Sequence, residues 1–193
     1  MTSPQKNPAA APRLHIYTGD GKGKTTSCVG LAVRACATGL RVAFIQFDKG
    51  FDGSNEHYAE RRILRMLPGV AVLPSGCERM RPDGSFHFSN EPEDFAEAAR
   101  GMELAWKAAL TPGAYDLVIL DEAVTAAGLT GLVRESDLLE LIKKWRKIGT
   151  CELVLSGRGL TPAMSEAADL ISEIKKVKHY FDAGAPAKPG IEY

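Results

Sequence analysis

The clearest chemistry in the chain lies in Thr18, Gly19, Asp20, Gly21, Lys22, Gly23, Lys24, Thr25 and Thr26. A short apolar run (14–17) that reads as a strand precedes them, and a helical pattern (27–36) follows. A strand, a glycine-rich turn and a helix N-terminus together aim several backbone N–H groups at one anion, and the glycines let the backbone wrap a phosphate with no Cβ in the way. Lys24 adds a point charge. The Thr25 hydroxyl is placed to ligate a magnesium or manganese ion bridging the phosphates of ATP. Three residues separate Gly19 from Gly23 where the common phosphate-loop pattern has four, so Thr18 falls on the first glycine position and the loop is a shortened variant.

Two further groups belong to this chemistry. The run Leu117-Val118-Ile119-Leu120 ends in Asp121 and Glu122. In a phosphate-loop protein such a strand end lies beside the loop, and its carboxylates reach the metal directly or through water, so both are metal candidates. A water-activating glutamate is the hydrolase version of the same arrangement, and these two residues alone do not separate hydrolysis from another use of ATP. In Ser156-Gly157-Arg158-Gly159, an arginine between glycines ends the next apolar run, where its guanidinium can take a phosphate bidentately. On chemistry alone, the basic stretch Lys175-Lys176-Val177-Lys178 reads as a solvated face.

The elements that must hold these residues follow an alternating pattern. Apolar runs at 41–47, 70–73, 117–121 and 151–156 read as buried strands, and segments 55–66, 91–110 and 136–148 carry helical spacing. Asn90 with Glu93 forms a candidate capping box, and Gly149 a candidate helix stop. The pattern predicts an α/β fold of the P-loop NTPase-like (RecA-like) type, a parallel sheet flanked by helices. At 193 residues it fits one domain over 14–193 behind a mobile tail at 1–13. Lys plus Arg and Asp plus Glu number 24 each, so no net field steers the chain to nucleic acid or an acidic membrane. Cys28, Cys36, Cys77 and Cys151 lack metal or disulfide spacing and read as reduced thiols, which with the absence of a signal peptide points to the cytoplasm. His15 and His57 lack ligand spacing and read as structural or exposed. The irregular segment 74–92 is a candidate binding element.

These residues resemble the P-loop type ATP:corrinoid adenosyltransferases. The likeness rests on the shortened loop, on Gln46-Phe47 with Lys49-Gly50, on Val118 to Glu122, and on Gly157-Arg158-Gly159. It continues through Ala168-Asp169 with Ser172-Glu173, and from Val177-Lys178-His179 past Phe181-Asp182-Ala183-Gly184 to the Gly-Ile-Glu-Tyr terminus. It implies that a Co(I) corrinoid attacks the 5′ carbon of ATP, forming adenosylcorrinoid and releasing triphosphate. ATP would bind in the reverse sense to ordinary phosphate-loop enzymes. Lys24, Arg158 and Glu122 would then serve the leaving triphosphate electrostatically. The resemblance also implies a homodimer, an electron-donating reductase or flavoprotein, and apolar side chains that exclude the lower axial ligand of cobalt. Here the sequence departs from the family: Cys77-Glu78-Arg79 follow Gly76 where an aromatic pair is expected, and a longer loop carries Phe86-His87-Phe88, whose Phe86 and Phe88 are the candidate replacement. A P-loop ATPase or small-molecule kinase acting at the γ-phosphate is the alternative.

Overall fold

A computed structural model describes residues 11–50, 56–79 and 89–192. Six strands form one parallel sheet: β1 (Leu14–Thr18), β2 (Val42–Gln46), β3 (Val70–Pro74), β4 (Leu117–Asp121), β5 (Glu152–Ser156) and β6 (Leu170–Glu173), in the order β3-β2-β4-β5-β1-β6. Every pairing is parallel. Helices α1 (Lys24–Ala37), α2 (Glu60–Leu64), α3 (Pro92–Leu110), α4 (Ala123–Gly128), α5 (Glu135–Ile148) and α6 (Pro162–Ala167) occupy the connections between strands. The predicted α/β architecture is therefore the one observed.

Strand periodicity splits the core in two. Val42, Phe44, Leu117, Ile119 and Val154 pack with Cys28, Ala32, Ala35 and Leu64 from α1 and α2. Ala43, Ile45, Val118, Leu120, Leu153 and Leu155 pack with Ala98, Ala105, Leu138, Leu141 and Trp145 from α3 and α5. Because β2 and β4 are covered on both faces, their sequences are nearly continuous apolar runs with no polar alternation. In α5 the buried residues Leu138, Leu141, Ile142 and Trp145 fall on one helical face, and Gly149 ends the helix in the left-handed region at φ 60, as its position in the sequence predicts.

Several boundaries differ from the sequence reading. The helix expected over 55–66 begins only at Glu60, because the Glu56 side chain is drawn into ion pairs with Arg61 and Arg65 and its carbonyl accepts from Arg62. The N-cap of α3 is Glu91, with Asp94 accepting from the Glu91 N–H at 2.8 Å, one residue beyond the expected Asn90–Glu93 pair. Asn90 instead donates to the Thr130 carbonyl. Strand β6 and helices α4 and α6 escaped the sequence reading; β6 is a four-residue, exposed edge strand with no apolar run to announce it. Asp169 seats it, accepting from the Leu14 N–H at 2.7 Å and pairing with Arg146 at 2.8 Å. Arg13, at the end of the segment read as a tail, already engages Glu152 and Leu153 through its backbone. All four cysteines are free, Cys28 and Cys151 buried and the other two half-buried.

Two helical glycines show how packing sets the sign of a substitution. A Cβ at Gly101 would stand 2.4 Å from Ser75 Oγ and 2.8 Å from the Phe47 ring, whereas a Cβ at Gly30 meets nothing within 4 Å. Gly30→Ala should stabilise by roughly 0.5–1 kcal/mol through helix propensity alone. Gly101→Ala should destabilise by about 1–3 kcal/mol through overpacking at the α3–β2 contact, and urea unfolding of the two variants reads both signs.

Candidate active site

The candidate site residues gather at the carboxyl ends of the central strands. Gln46 ends β2 and pairs in register with Asp121, the end of β4; Leu120 pairs with Leu155, which brings Ser156 at the end of β5 alongside. All three share strand parity with Phe44, Ile119 and Val154, so they project toward α1, whose first turn carries Thr25. The strand ending in Asp121 is not the sheet neighbour of the loop strand, since β5 lies between them. Its carboxylate still reaches Thr25.

Asp121 is fully buried and saturated with donors. Ser156 Oγ donates to Oδ1 at 2.6 Å, Gln46 Nε2 to Oδ2 at 3.2 Å, and Thr25 Oγ1 lies 3.1 and 3.2 Å from the two oxygens. Lys49 Nζ donates to Oδ2 at 2.7 Å and to Thr25 Oγ1 at 2.9 Å. Burial opposes both charges, but the pair outweighs it: the Asp121 pKa lies below the usual carboxylate value and that of Lys49 above the usual amine value. Both are ionised at neutral pH.

The loop itself is pressed against the chain's C-terminal portion. A Cβ at Gly19 would come within 2.3 Å of the Ile174 carbonyl oxygen and one at Gly21 within 2.7 Å, so this stretch requires glycine for close approach as well as for the positive φ of Gly19 and Gly23. The Gly21 N–H donates to Ile174 O at 2.8 Å, and Asp20 Oδ1 accepts from the Lys176 N–H at 2.9 Å. The first-turn amides of α1 have no acceptor within the helix and so can face an anion. Lys24 Nζ folds back onto the carbonyls of Gly19 and Gly21 at 2.9 and 2.7 Å. Burial first, and then the Arg158 charge, push its pKa down. Two cations held this way would be relieved by an anion.

Glu122 adopts the left-handed region at φ 61 at the start of α4, and its carboxylate accepts from the Thr125 hydroxyl. The same hydroxyl accepts from the Arg158 N–H at 2.8 Å. A Cβ at Gly157 would stand 2.4 Å from the Thr125 nitrogen, which explains the glycine before Arg158. No sequence motif points to Thr125.

These groups open onto one cleft of about 620 Å³. Lys22, Lys24, Thr25, Thr26, Lys49, Glu122 and Arg158 line its polar side, with Val29, Tyr58 and Ile63 opposite. Gly190, Ile191 and Glu192 close one rim. Lys22, read from the sequence as a loop cation, is held at that rim by Glu192 at 2.5 Å, the Tyr180 hydroxyl at 3.0 Å and the Ile191 carbonyl at 2.7 Å. Lys22 and Tyr180 hold the Glu192 pKa down to about 2. The solvated reading of 175–178 fits the side chains, all four of which are exposed, but the sequence pattern alone did not disclose that the Lys176 N–H and the residues beyond would clamp the loop. Phe86 and Phe88, the candidate aromatic pair, lie outside the described residues. His57 is buried beside Tyr58, and no helix among the described residues is long and apolar enough to cross a membrane.

The residues present fit a hard divalent cation. Thr25 and Glu122 bring oxygen donors to the cleft, and no cluster of three His, Cys, Asp or Glu side chains exists among the described residues. That donor set suits magnesium completed by phosphate oxygens and water better than a fully protein-ligated metal.

Comparison with known proteins agrees with this geometry. A family model described as ATP:corrinoid adenosyltransferase BtuR/CobO/CobP matches residues 10–193. Corrinoid adenosyltransferases of Pseudomonas aeruginosa and Escherichia coli K12 are each 32% identical to the chain, over 183 and 179 residues, covering 93% and 92% of it and 83% and 84% of their own lengths. An uncharacterized protein of Nostoc is 34% identical over 188 residues, 93% of this chain; the chain spans 48% of that relative. The match thus takes in the loop, the Asp121–Glu122 strand end, Arg158 and the C-terminal clamp together, and the chain belongs to the BtuR/CobO/CobP family of ATP:corrinoid adenosyltransferases.

Proposed function

We propose that this protein transfers the 5′-deoxyadenosyl group of ATP to the Co(I) centre of a corrinoid and releases triphosphate. The observation that carries the proposal is the family match over residues 10–193, which includes both the shortened loop and the C-terminal segment packed against it. In the reaction the cobalt electron pair forms the Co–C5′ bond, the C5′–O bond breaks, and its electron pair leaves on the triphosphate oxygen. No proton needs to move for the nucleophile to form, so the side chains have two tasks: orienting C5′ and stabilising the departing charge.

The cleft supports those tasks. The first-turn amides of α1, with Lys24 and Arg158, offer fixed positive charge to a polyphosphate, and relief of the Lys24–Arg158 repulsion favours the anion. Magnesium, held by Thr25 and Glu122, would supply further charge neutralisation at the leaving group. Asp121, saturated by its four protein partners, is suited to orient Thr25 and Lys49 from behind. The apolar side of the cleft, at Val29, Tyr58 and Ile63, offers contact area for the nucleoside or the corrinoid. The reading extends to a homodimer in the cytoplasm and to a reductase or flavoprotein donor, since Co(I) is reached by reduction. Glu122 at the cleft is the feature that would equally serve a γ-phosphate hydrolase or kinase.

Product analysis separates these readings. An anaerobic reaction with ATP, magnesium and a chemically reduced corrinoid should yield adenosylcorrinoid and triphosphate in equal amounts; stoichiometric ADP or orthophosphate would refute the transfer. Lys24→Ala should lower kcat by roughly 10²–10³-fold, the scale of losing one preorganised charge donor, with the thermal midpoint little changed. Near-normal turnover by the folded variant would remove Lys24 from its role. The two adjacent carboxylates should part company. Glu122→Gln should raise the magnesium concentration needed for half-maximal rate while leaving the fold stable. Asp121→Asn should destabilise the domain by about 3–5 kcal/mol, because Lys49 is left as a buried, uncompensated charge. Denaturant unfolding together with a metal titration of the rate distinguishes the two.

A further inference from the structure

Lys49 stands where a divalent cation would be expected. Its ammonium bridges the Thr25 hydroxyl at 2.9 Å and the Asp121 carboxylate at 2.7 Å, the two oxygen donors that a strand-end carboxylate and a loop threonine bring together for a metal. Thr25 spends its own proton toward Asp121, so the hydroxyl oxygen is oriented with a lone pair on the ammonium. Any divalent ion ligated by Thr25 would lie within a few ångströms of Nζ, whose side chain is only 12% exposed, so water screens the repulsion weakly.

The turn that aims this lysine is built for the purpose. Asp48 holds the left-handed region at φ 52, and Arg79 donates to its carboxylate at 2.8 Å. A Cβ at Gly50 would strike the Cys77 carbonyl carbon at 2.1 Å, and one at Gly76 would approach the Lys49 nitrogen to 2.6 Å, so the turn and the segment after β3 are in backbone contact. Fully buried Arg61 donates to the carbonyls of Lys49 at 2.6 Å and Gly50 at 3.1 Å. The Tyr58 ring lies 5.4 Å from Nζ. Lys49 is thus a seated cation and not a surface side chain at rest.

We propose that the Lys49 ammonium is the resident cation of this site, filling the place between Thr25 and Asp121 and admitting a divalent ion only together with a polyphosphate. The proposal rests on the reading that a metal–nucleotide complex binds this cleft. Arrival of the polyphosphate supplies the negative charge that lets two cations share the site: Lys49 leaves Thr25 and keeps a hydrogen bond to Asp121 or turns to the phosphates, while Thr25 becomes a metal ligand. Free metal lacks that charge and is excluded. A magnesium ion bound without nucleotide would order the site around the wrong partner, and the lysine prevents this without depending on any further protein.

Equilibrium dialysis with Mn2+, counted by its electron paramagnetic resonance signal, tests the idea. Wild-type protein should retain Mn2+ with ATP and little without it. Lys49→Met, and Lys49→Gln, which keeps a neutral donor to Asp121 if the first variant folds poorly, should bind Mn2+ without nucleotide about tenfold or more tighter than wild type, as expected for removing a cation in van der Waals range. Equal nucleotide-free affinity in wild type and in a folded variant overturns the proposal. Nucleotide-free binding by wild type that is lost in Thr25→Val overturns it without recourse to the lysine variants. If wild-type protein retains no Mn2+ beyond that carried by ATP alone, the metal–nucleotide reading itself falls and takes the proposal with it.

Discussion

The buried Asp121 carboxylate is the interaction on which the site depends. Its partners come from the ends of β2 and β5, the first turn of α1, and the 46–50 turn, so one acidic group fixes the relative position of four elements. Such a buried charge adds little net stability over a well-packed apolar group, because desolvation offsets most of the attraction. Its value is geometric. Gln46, Ser156, Thr25 and Lys49 together satisfy both oxygens, and that arrangement places the Thr25 hydroxyl and the lysine at the cleft.

The sheet order makes this possible. With β5 between the loop strand and the Asp121 strand, the chain can deliver Ser156 to the carboxylate and, two residues later, Arg158 to the cleft. The glycines on either side of Arg158 answer to the close passage of α4: Gly157 runs against Thr125 and Gly159 against Gly128. The Thr125 hydroxyl then links the Arg158 backbone to the Glu122 carboxylate. Arginine and glutamate, separated by 36 positions in sequence, are held by one small side chain.

Much of this was legible before any coordinates. The loop, the apolar strands and the Asp-Glu strand end depend on local signals, a glycine turn or a run of buried residues, and they fall where the sequence puts them. Arg61 was not legible as a site residue, because an arginine in a polar helix looks like a solvated charge until the turn folds over it, and Lys49 was legible only as part of the Lys49-Gly50 likeness, with no role attached. The start of α2 was misjudged for a related reason: periodicity does not reveal that Glu56 is engaged by Arg61 and Arg65. Strand β6 was missed because an exposed edge needs no apolar run. The shift of the α3 capping box by one residue reflects two adjacent acidic residues, Glu93 and Asp94, either of which fits the pattern by type.

The contacts of Gly19, Asp20, Gly21 and Lys22 with residues 174, 176, 180 and 192 span more than 150 positions of chain. Closing so long a loop carries an entropic cost that must be met before the contacts form, so pairings of this kind are completed late in folding. The glycine-rich loop is therefore shaped by residues more than 150 positions away from it in sequence. During synthesis residues 19–22 emerge well before residues 174–192, the surface that moulds them. A chain halted before β6 would carry the whole Gly-Lys-Thr-Thr motif without the wall against which Gly19 and Gly21 are pressed. The shape of the loop is in this sense a property of the finished domain and not of its signature motif.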